Sequence, residues 1–241
     1  SLREELARRQ SVCRQLDRTN LSWSFVDAIN YKEVDVRALW GESELAAAQT
    51  SYGREFTAGE IACAQSHYQT YCSLAQSEVD IGIILEDDFL ATPKFFELLG
   101  ELEQASHDWF DLLVLGYSKL APATEASLYR FMPILPERSL ANIRIGQVWN
   151  EWTYGNVGYA VTRQAATRLA GDPRLYTIAD DWRRLKKHYL LRIQHARPLV
   201  VRENFEVFPS ALGSERDHLL KPYIKWLDFA RYLRGYLRLL I

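Results

Sequence analysis

Apolar positions recur along the chain at two spacings, and these divide it into helices and strands. From Arg3 to Leu16 the spacing is helical, with Leu2, Leu6, Arg9, Cys13 and Leu16 on one face. Trp23 to Ala28 reads as a short strand. Thr57 is placed to cap a second helix, in which Ile61, Ala64, Tyr68, Tyr71 and Ala75 recur at helical intervals. Ile81 to Leu85 is a short continuous apolar run, the pattern of a strand buried on both faces. Thr92 and Pro93 supply an N-cap and a first helical position for Lys94 to Glu103. Phe110 to Leu115 is a second buried strand, expected to end at Gly116. Tyr159 to Val161 reads as another strand; Thr162 then caps a helix to Ala170, with Gly171 and Pro173 as stop signals. Strands alternating with helices predict an α/β fold on a mainly parallel sheet flanked by helices.

Composition narrows the class. With 48% apolar residues among 241, the chain can bury a full core, which excludes disorder. Its 29 basic and 31 acidic residues nearly cancel, so it is no generic basic nucleic-acid binder and no nucleic-acid partner is expected. No apolar run approaches the roughly 20 residues of a membrane span. No charged-then-apolar leader opens the sequence, so no secretory signal is expected. Cys13, Cys63 and Cys72 are odd in number and lack metal-type spacing, which fits a reducing, cytoplasmic compartment. Neither do the five histidines show metal-ligand spacing. The charge is unevenly spread: residues 1–120 carry 10 bases and 20 acids, residues 121–241 carry 19 and 11. Such a split suits a second half that faces phosphates or lipid headgroups, unless it is a chance division.

The densest chemistry follows the Ile81–Leu85 run, where Glu86, Asp87 and Asp88 stand in a row before Phe89. Three packed acids repel one another unless something cationic sits among them. In open α/β sheets ligands bind at the carboxyl ends of strands, where these acids fall. Their hard oxygens suit Mg²⁺ or Mn²⁺, which commonly also hold substrate phosphates. The plainer alternative is a solvated turn leading into the Thr92 cap. A second acidic pair, Asp180 and Asp181, precedes Trp182 and a run of bases. Spacing alone reads it first as a helix cap, and second as a pair that divides acid and base roles. No Gly-rich phosphate loop, nucleophile elbow or Cys-His framework is present.

The stretch Thr57-Ala58-Gly59-Glu60-Ile61-Ala62-Cys63-Ala64-Gln65-Ser66-His67, followed about twenty residues later by Ile84-Leu85-Glu86-Asp87-Asp88, resembles glycosyltransferase family 25. This is the lipooligosaccharide and lipopolysaccharide galactosyltransferase family, which also holds collagen galactosyltransferases. Trp109 to Gly116, Gly155 to Leu169 and Ile178 to Trp182 resemble its later motifs. The resemblance implies a GT-A-like, Rossmann-type fold, a UDP-sugar donor and an inverting transfer of a hexose, galactose by family, to a glycan or glycolipid acceptor. It implies that Glu86 and Asp88 frame a divalent metal, Mn²⁺ or Mg²⁺, on the donor diphosphate, with Asp87 between them. Ser66 and His67 would lie near the donor nucleotide. Asp180 matches the later family Asp, with Asp181 the neighbouring candidate for the catalytic base. Ser1-Leu2 resembles the end of the family's first strand, so Ser1 and Leu2 are expected in the donor pocket and the strand's start before Ser1. Where members often carry Thr-His, this chain has Asn156-Val157. That departure supports a rival reading, a non-catalytic saccharide- or partner-binding module on the same fold.

Residues 1–217 therefore read as the transferase domain, and 218–241 as a C-terminal amphipathic helix. That segment carries Lys221, Lys225, Arg231, Arg234 and Arg238 against Asp228, interleaved with aromatic and leucine residues. It reads as lying in an anionic membrane interface, at the inner face of a bacterial inner membrane, and alternatively as a helix on the core or a partner.

Overall fold

The computed structural model of the chain describes residues 1–118, 120–148, 155–171, 177–204 and 207–208. Helix α1 (Leu6–Leu16) opens the order, followed by a 3-10 turn (Val36–Leu39), α2 (Glu42–Tyr52) and α3 (Ala58–Ala75). Next come β1 (Ile81–Leu85), β2 (Phe89–Ala91), α4 (Pro93–Gln104), β3 (Leu112–Tyr117) and α5 (Pro122–Phe131). The antiparallel pair β4 (Ile134–Leu140) and β5 (Ile143–Val148) precedes β6 (Asn156–Thr162) and α6 (Arg163–Ala170). Helix α7 (Trp182–Tyr189), β7 (Ile193–Arg197) and β8 (Val201–Glu203) complete the described elements. The C-terminal segment 218–241 and Pro173 lie outside the described residues. Among the described residues no helix is long and apolar enough to cross a membrane.

The expected helix-flanked α/β sheet is present, and it is mixed. Its six strands run in the order β1-β6-β3-β7-β5-β4. Only β3 and β7 pair in parallel; the other neighbours are antiparallel. Following those pairings, β1, β3, β7 and β4 point one way, while β6 and β5 are inserted between them in the opposite sense. β2 and β8 form a separate two-stranded antiparallel sheet.

Alternation along the strands feeds two cores. Leu112, Val114, Tyr159 and Val161 pack with Tyr71, Leu169 and Trp182 on one face of the sheet. Leu113, Leu115 and Ala160 pack with Phe89, Phe95 and Leu98 on the other. Both faces of β3 are covered, which is why its sequence is continuously apolar. The same pattern at Ile81–Leu85 misleads: β1 is an outermost strand of this sheet and only half-buried. A third cluster, with Val36, Trp40, Phe56 and Ile61, fixes the outer side of α3.

Local signals explain several helix starts. Thr57 accepts from the Glu60 N–H at 3.1 Å while the Glu60 carboxylate accepts from the Thr57 N–H, a complete capping box. Glu60 is also gripped by both Arg54 guanidinium nitrogens, at 2.7 and 2.8 Å. Thr162 caps α6 as expected. Thr92 does not cap α4 with its side chain; its hydroxyl donates to the Val200 carbonyl instead. Trp23 to Ala28 is no regular strand. It makes one parallel bridge to Ser1, through Ser1 N–H to Val26 O (3.1 Å) and Ala28 N–H to Ser1 O (2.9 Å).

Gly116 does not end its strand but lies inside β3, because β8 crosses there. A Cβ at Gly116 would collide with the Val201 carbonyl and the Val157 side chain. Gly116→Ala is therefore expected to lower stability by about 1–3 kcal/mol, the usual cost of overpacking. Gly100, in α4, faces open space, so Gly100→Ala should raise stability by about 0.5–1 kcal/mol. Urea denaturation of the two variants checks both signs.

Candidate active site

The acidic run sits on a turn between the two sheets. Beyond Leu85 the chain stays with β6 for one more bond, from Glu86 N–H to Val157 O at 3.0 Å. It then turns through Asp87 and Asp88, and Phe89, 1% exposed, anchors it in the core. The Asn204 N–H donates to the Asp88 carbonyl at 2.7 Å, so the chain leaving β8 holds the turn from the other side. Three carboxylates are thereby fixed at the carboxyl end of β1.

A cation does stand among them, and it comes from α1. Arg8 Nη1 donates to Asp87 Oδ1 at 2.7 Å and to Asp88 Oδ2 at 2.9 Å. All three side chains are at most 16% exposed, and the guanidinium lies over the Phe208 ring at 5.4 Å. Burial first, and then the charge of Glu86, push the Asp88 carboxyl up to about 7 despite Arg8. Glu203, paired with Phe89 across the small sheet, adds to the repulsion.

Glu86 turns towards α3. His67 Nε2 lies 3.0 Å from Glu86 Oε1, and His67 Nδ1 lies 2.8 Å from the Tyr159 hydroxyl. That hydroxyl is 2.8 Å from the hydroxyl of Tyr71, so a polar chain runs from the acids into the core. Burial opposes a charged imidazole, but hydrogen bonds to Cys63 and Glu86 override it and hold His67 well above the ordinary histidine value. Burial raises the Cys63 thiol and both tyrosine phenols. Counted separately, cysteines and histidines show no metal-type spacing. Taken together, Cys63 and His67 lie four residues apart on α3, and with Glu86 their ligand atoms fall within 4.8 Å of one another.

The other expected site residues gather less tightly. Ser66 donates to Ala62 O and accepts from the Ile29 N–H at 3.0 Å, next to the residues that bridge Ser1. Ser1 and Ser66 thus flank residues 26–29, and the Leu2 carbonyl is held by Arg9 at 3.1 Å. Asp180 adds a small electrostatic push that raises Cys63 and Tyr71, after burial as the main cause. Asp181 is the cap of α7: it accepts from the Arg184 N–H at 3.1 Å, from the Tyr52 hydroxyl at 2.8 Å, and pairs with the Arg184 side chain. Its oxygens are already engaged, so the capping reading describes Asp181. Asn156 accepts from the Gly158 N–H, and the Val157 side chain is fully buried in the core. Sequence reasoning missed Arg8, Glu203, Tyr71 and Tyr159 as site residues. Only the Cys63–His67 interval offered a visible signal.

Asp88 leaves a pH signature. A carboxyl raised from 3.8 to about 7 in the fold contributes stability that is intact below the lower value and lost as pH rises through the upper. In metal-free buffer Asp88→Asn is expected to be more stable than the parent at about pH 8, with the gain vanishing towards about pH 4. Denaturation midpoints at the two pH values measure it.

The comparisons fall on this same region. A family model described as glycosyltransferase family 25 (LPS biosynthesis protein) matches residues 1–182. Procollagen galactosyltransferase 1-B of Xenopus laevis is 26% identical over 182 residues, covering 70% of this chain and 27% of that protein. Procollagen galactosyltransferase 2 of Mus musculus is 24% identical, covering 72% and 27%. The glycosyltransferase 25 family member of Drosophila melanogaster is 25% identical, covering 70% and 26%. The chain spans about a quarter of the length of these curated relatives. The family match takes in α1, α3, the acidic turn and Asp180, and on it the chain belongs to glycosyltransferase family 25.

Proposed function

We propose that the protein is an inverting hexosyltransferase that moves galactose from a UDP-sugar to a saccharide of lipooligosaccharide or lipopolysaccharide. One observation carries this reading: partly dehydrated carboxylates at the end of β1, in a chain of a glycosyltransferase family. The names of the relatives support the galactosyl part, and the family description supports the acceptor. The cationic segment 218–241, outside the described residues, is proposed as a tether to an anionic membrane carrying that acceptor, on the cytoplasmic side.

The donor set fits a hard divalent cation. Glu86 and Asp88 offer carboxylate oxygens, and the repulsion that raises Asp88 is what added positive charge relieves. Held there, Mn²⁺ or Mg²⁺ would neutralise charge on the leaving diphosphate. Arg8 adds a fixed positive group at the same strand end, already oriented by Asp87 and Asp88. Ser66 and His67 line the donor side. Asp180 takes the proton from the acceptor hydroxyl as that oxygen bonds to the anomeric carbon. The bond to the diphosphate breaks, and its electron pair departs with the diphosphate. Inversion requires the base on the face away from the leaving group, so it must be a residue other than the metal carboxylates.

The rival reading, a binding module without turnover, draws on Asn156-Val157. Release of UDP from UDP-galactose, with and without Mn²⁺ and acceptor, separates the two. Transfer is expected, and Asp88→Ala should lower it by roughly a hundredfold or more. Near-normal transfer in that variant would remove the metal assignment. Asp180→Asn should lower transfer by about 10²–10⁴ while donor binding by calorimetry survives. Undiminished transfer in this second variant would move the base elsewhere.

A further inference from the structure

We propose that Cys63, His67 and Glu86 form a second metal site, for a thiophilic divalent ion of the Zn²⁺ type, on the α3 side of the acidic turn. The three residues offer one sulfur, one nitrogen and one oxygen within 4.8 Å of one another. Such a mixed donor set suits Zn²⁺ or Co²⁺ and is poorly matched to Mg²⁺, which avoids thiolate. Cys63 and His67 are four residues apart on α3, so both side chains leave the same face of the helix. Tetrahedral zinc bonds of about 2.0–2.3 Å set neighbouring ligands about 3.3–3.7 Å apart, so closing the set takes about 1 Å of side-chain movement.

A second observation points the same way. Zinc-binding histidines almost always tie their other ring nitrogen to a fixed partner, which selects the tautomer. Here Nδ1 is 2.8 Å from the Tyr159 hydroxyl, and that hydroxyl is itself held by Tyr71. With one proton kept on Nδ1 towards Tyr159, loss of the Nε2 proton to an entering ion frees a lone pair on the side of Glu86, 3.0 Å away. Tyr159 is fully buried and its ring stacks on the imidazole at 5.9 Å, so the orientation is locked from two sides. The way in is on the Glu86 side, where that carboxylate is 40% exposed against 11% for His67. An entering ion displaces the thiol proton and the Nε2 proton to solvent, and three protein ligands leave a fourth position for water.

The test is metal binding by the full chain and needs no transferase activity, so it stands or falls separately from the proposed reaction. Titration with Co²⁺ alone should give one equivalent of a cobalt–thiolate charge-transfer band, abolished by Zn²⁺ in competition. Cys63→Ser should remove the band, while Cys13→Ser and Cys72→Ser keep it. Tyr159→Phe should keep the band but weaken binding about 10- to 100-fold. Should Cys63→Ser fail to fold, His67→Asn supplies the same loss of ligation. Absence of the band in the parent, or its survival in folded Cys63→Ser or His67→Asn, overturns the site; unchanged affinity in Tyr159→Phe overturns the orienting role of Tyr159.

Discussion

Negative charge partly removed from water has to be met by positive charge, and this requirement governs the architecture around β1. Glu86, Asp87 and Asp88 are fixed where they repel one another, and Glu203 approaches from β8. The fold brings a basic side chain from each side. Arg8 reaches Asp87 and Asp88 from α1, and His67 reaches Glu86 from α3. Two helices far apart in sequence are thereby bound to one turn. The packing of α3 through its capping box, and of Tyr159 on the imidazole, serves to hold one of those side chains in place.

The parts legible in the sequence were those with a local physical cause. The Thr57–Glu60 box, the Thr162 cap and the apolar run of β3 depend on neighbours within a few residues, so periodicity and cap chemistry find them. β7 was invisible because it is buried yet polar. Gln194 pairs with Glu137, His195 with Tyr117 at 2.6 Å, and Arg197 lies over the rings of Tyr117 and Tyr129. Partners that distant leave no trace in spacing. β4 carries a proline and a mostly exposed run at the sheet edge, which reads as a loop. The reversed strands β5 and β6 explain why alternation of strands and helices suggested more parallel pairing than the sheet contains.

The site divides in the same way. Three acids after an apolar run are conspicuous, and their need for a cation follows from Coulomb's law without a structure. Which cation meets it does not follow, since Arg8 is 79 residues from Asp87 and looks like any helix-face arginine. Adjacent acids can also differ in kind. Asp181 caps α7, and Asp180, one residue earlier, adds to the electrostatic surroundings of Cys63 and Tyr71.

Arg8 and His67 also bear on what an incoming ion would meet at the turn. Arg8 beside Asp87 and Asp88, and His67 beside Glu86, set two basic side chains of the chain itself against the acids. The turn therefore closes on charges encoded in the polypeptide itself. An ion taking the proposed place would meet acids already engaged by Arg8 and His67, and its binding would compete with those contacts.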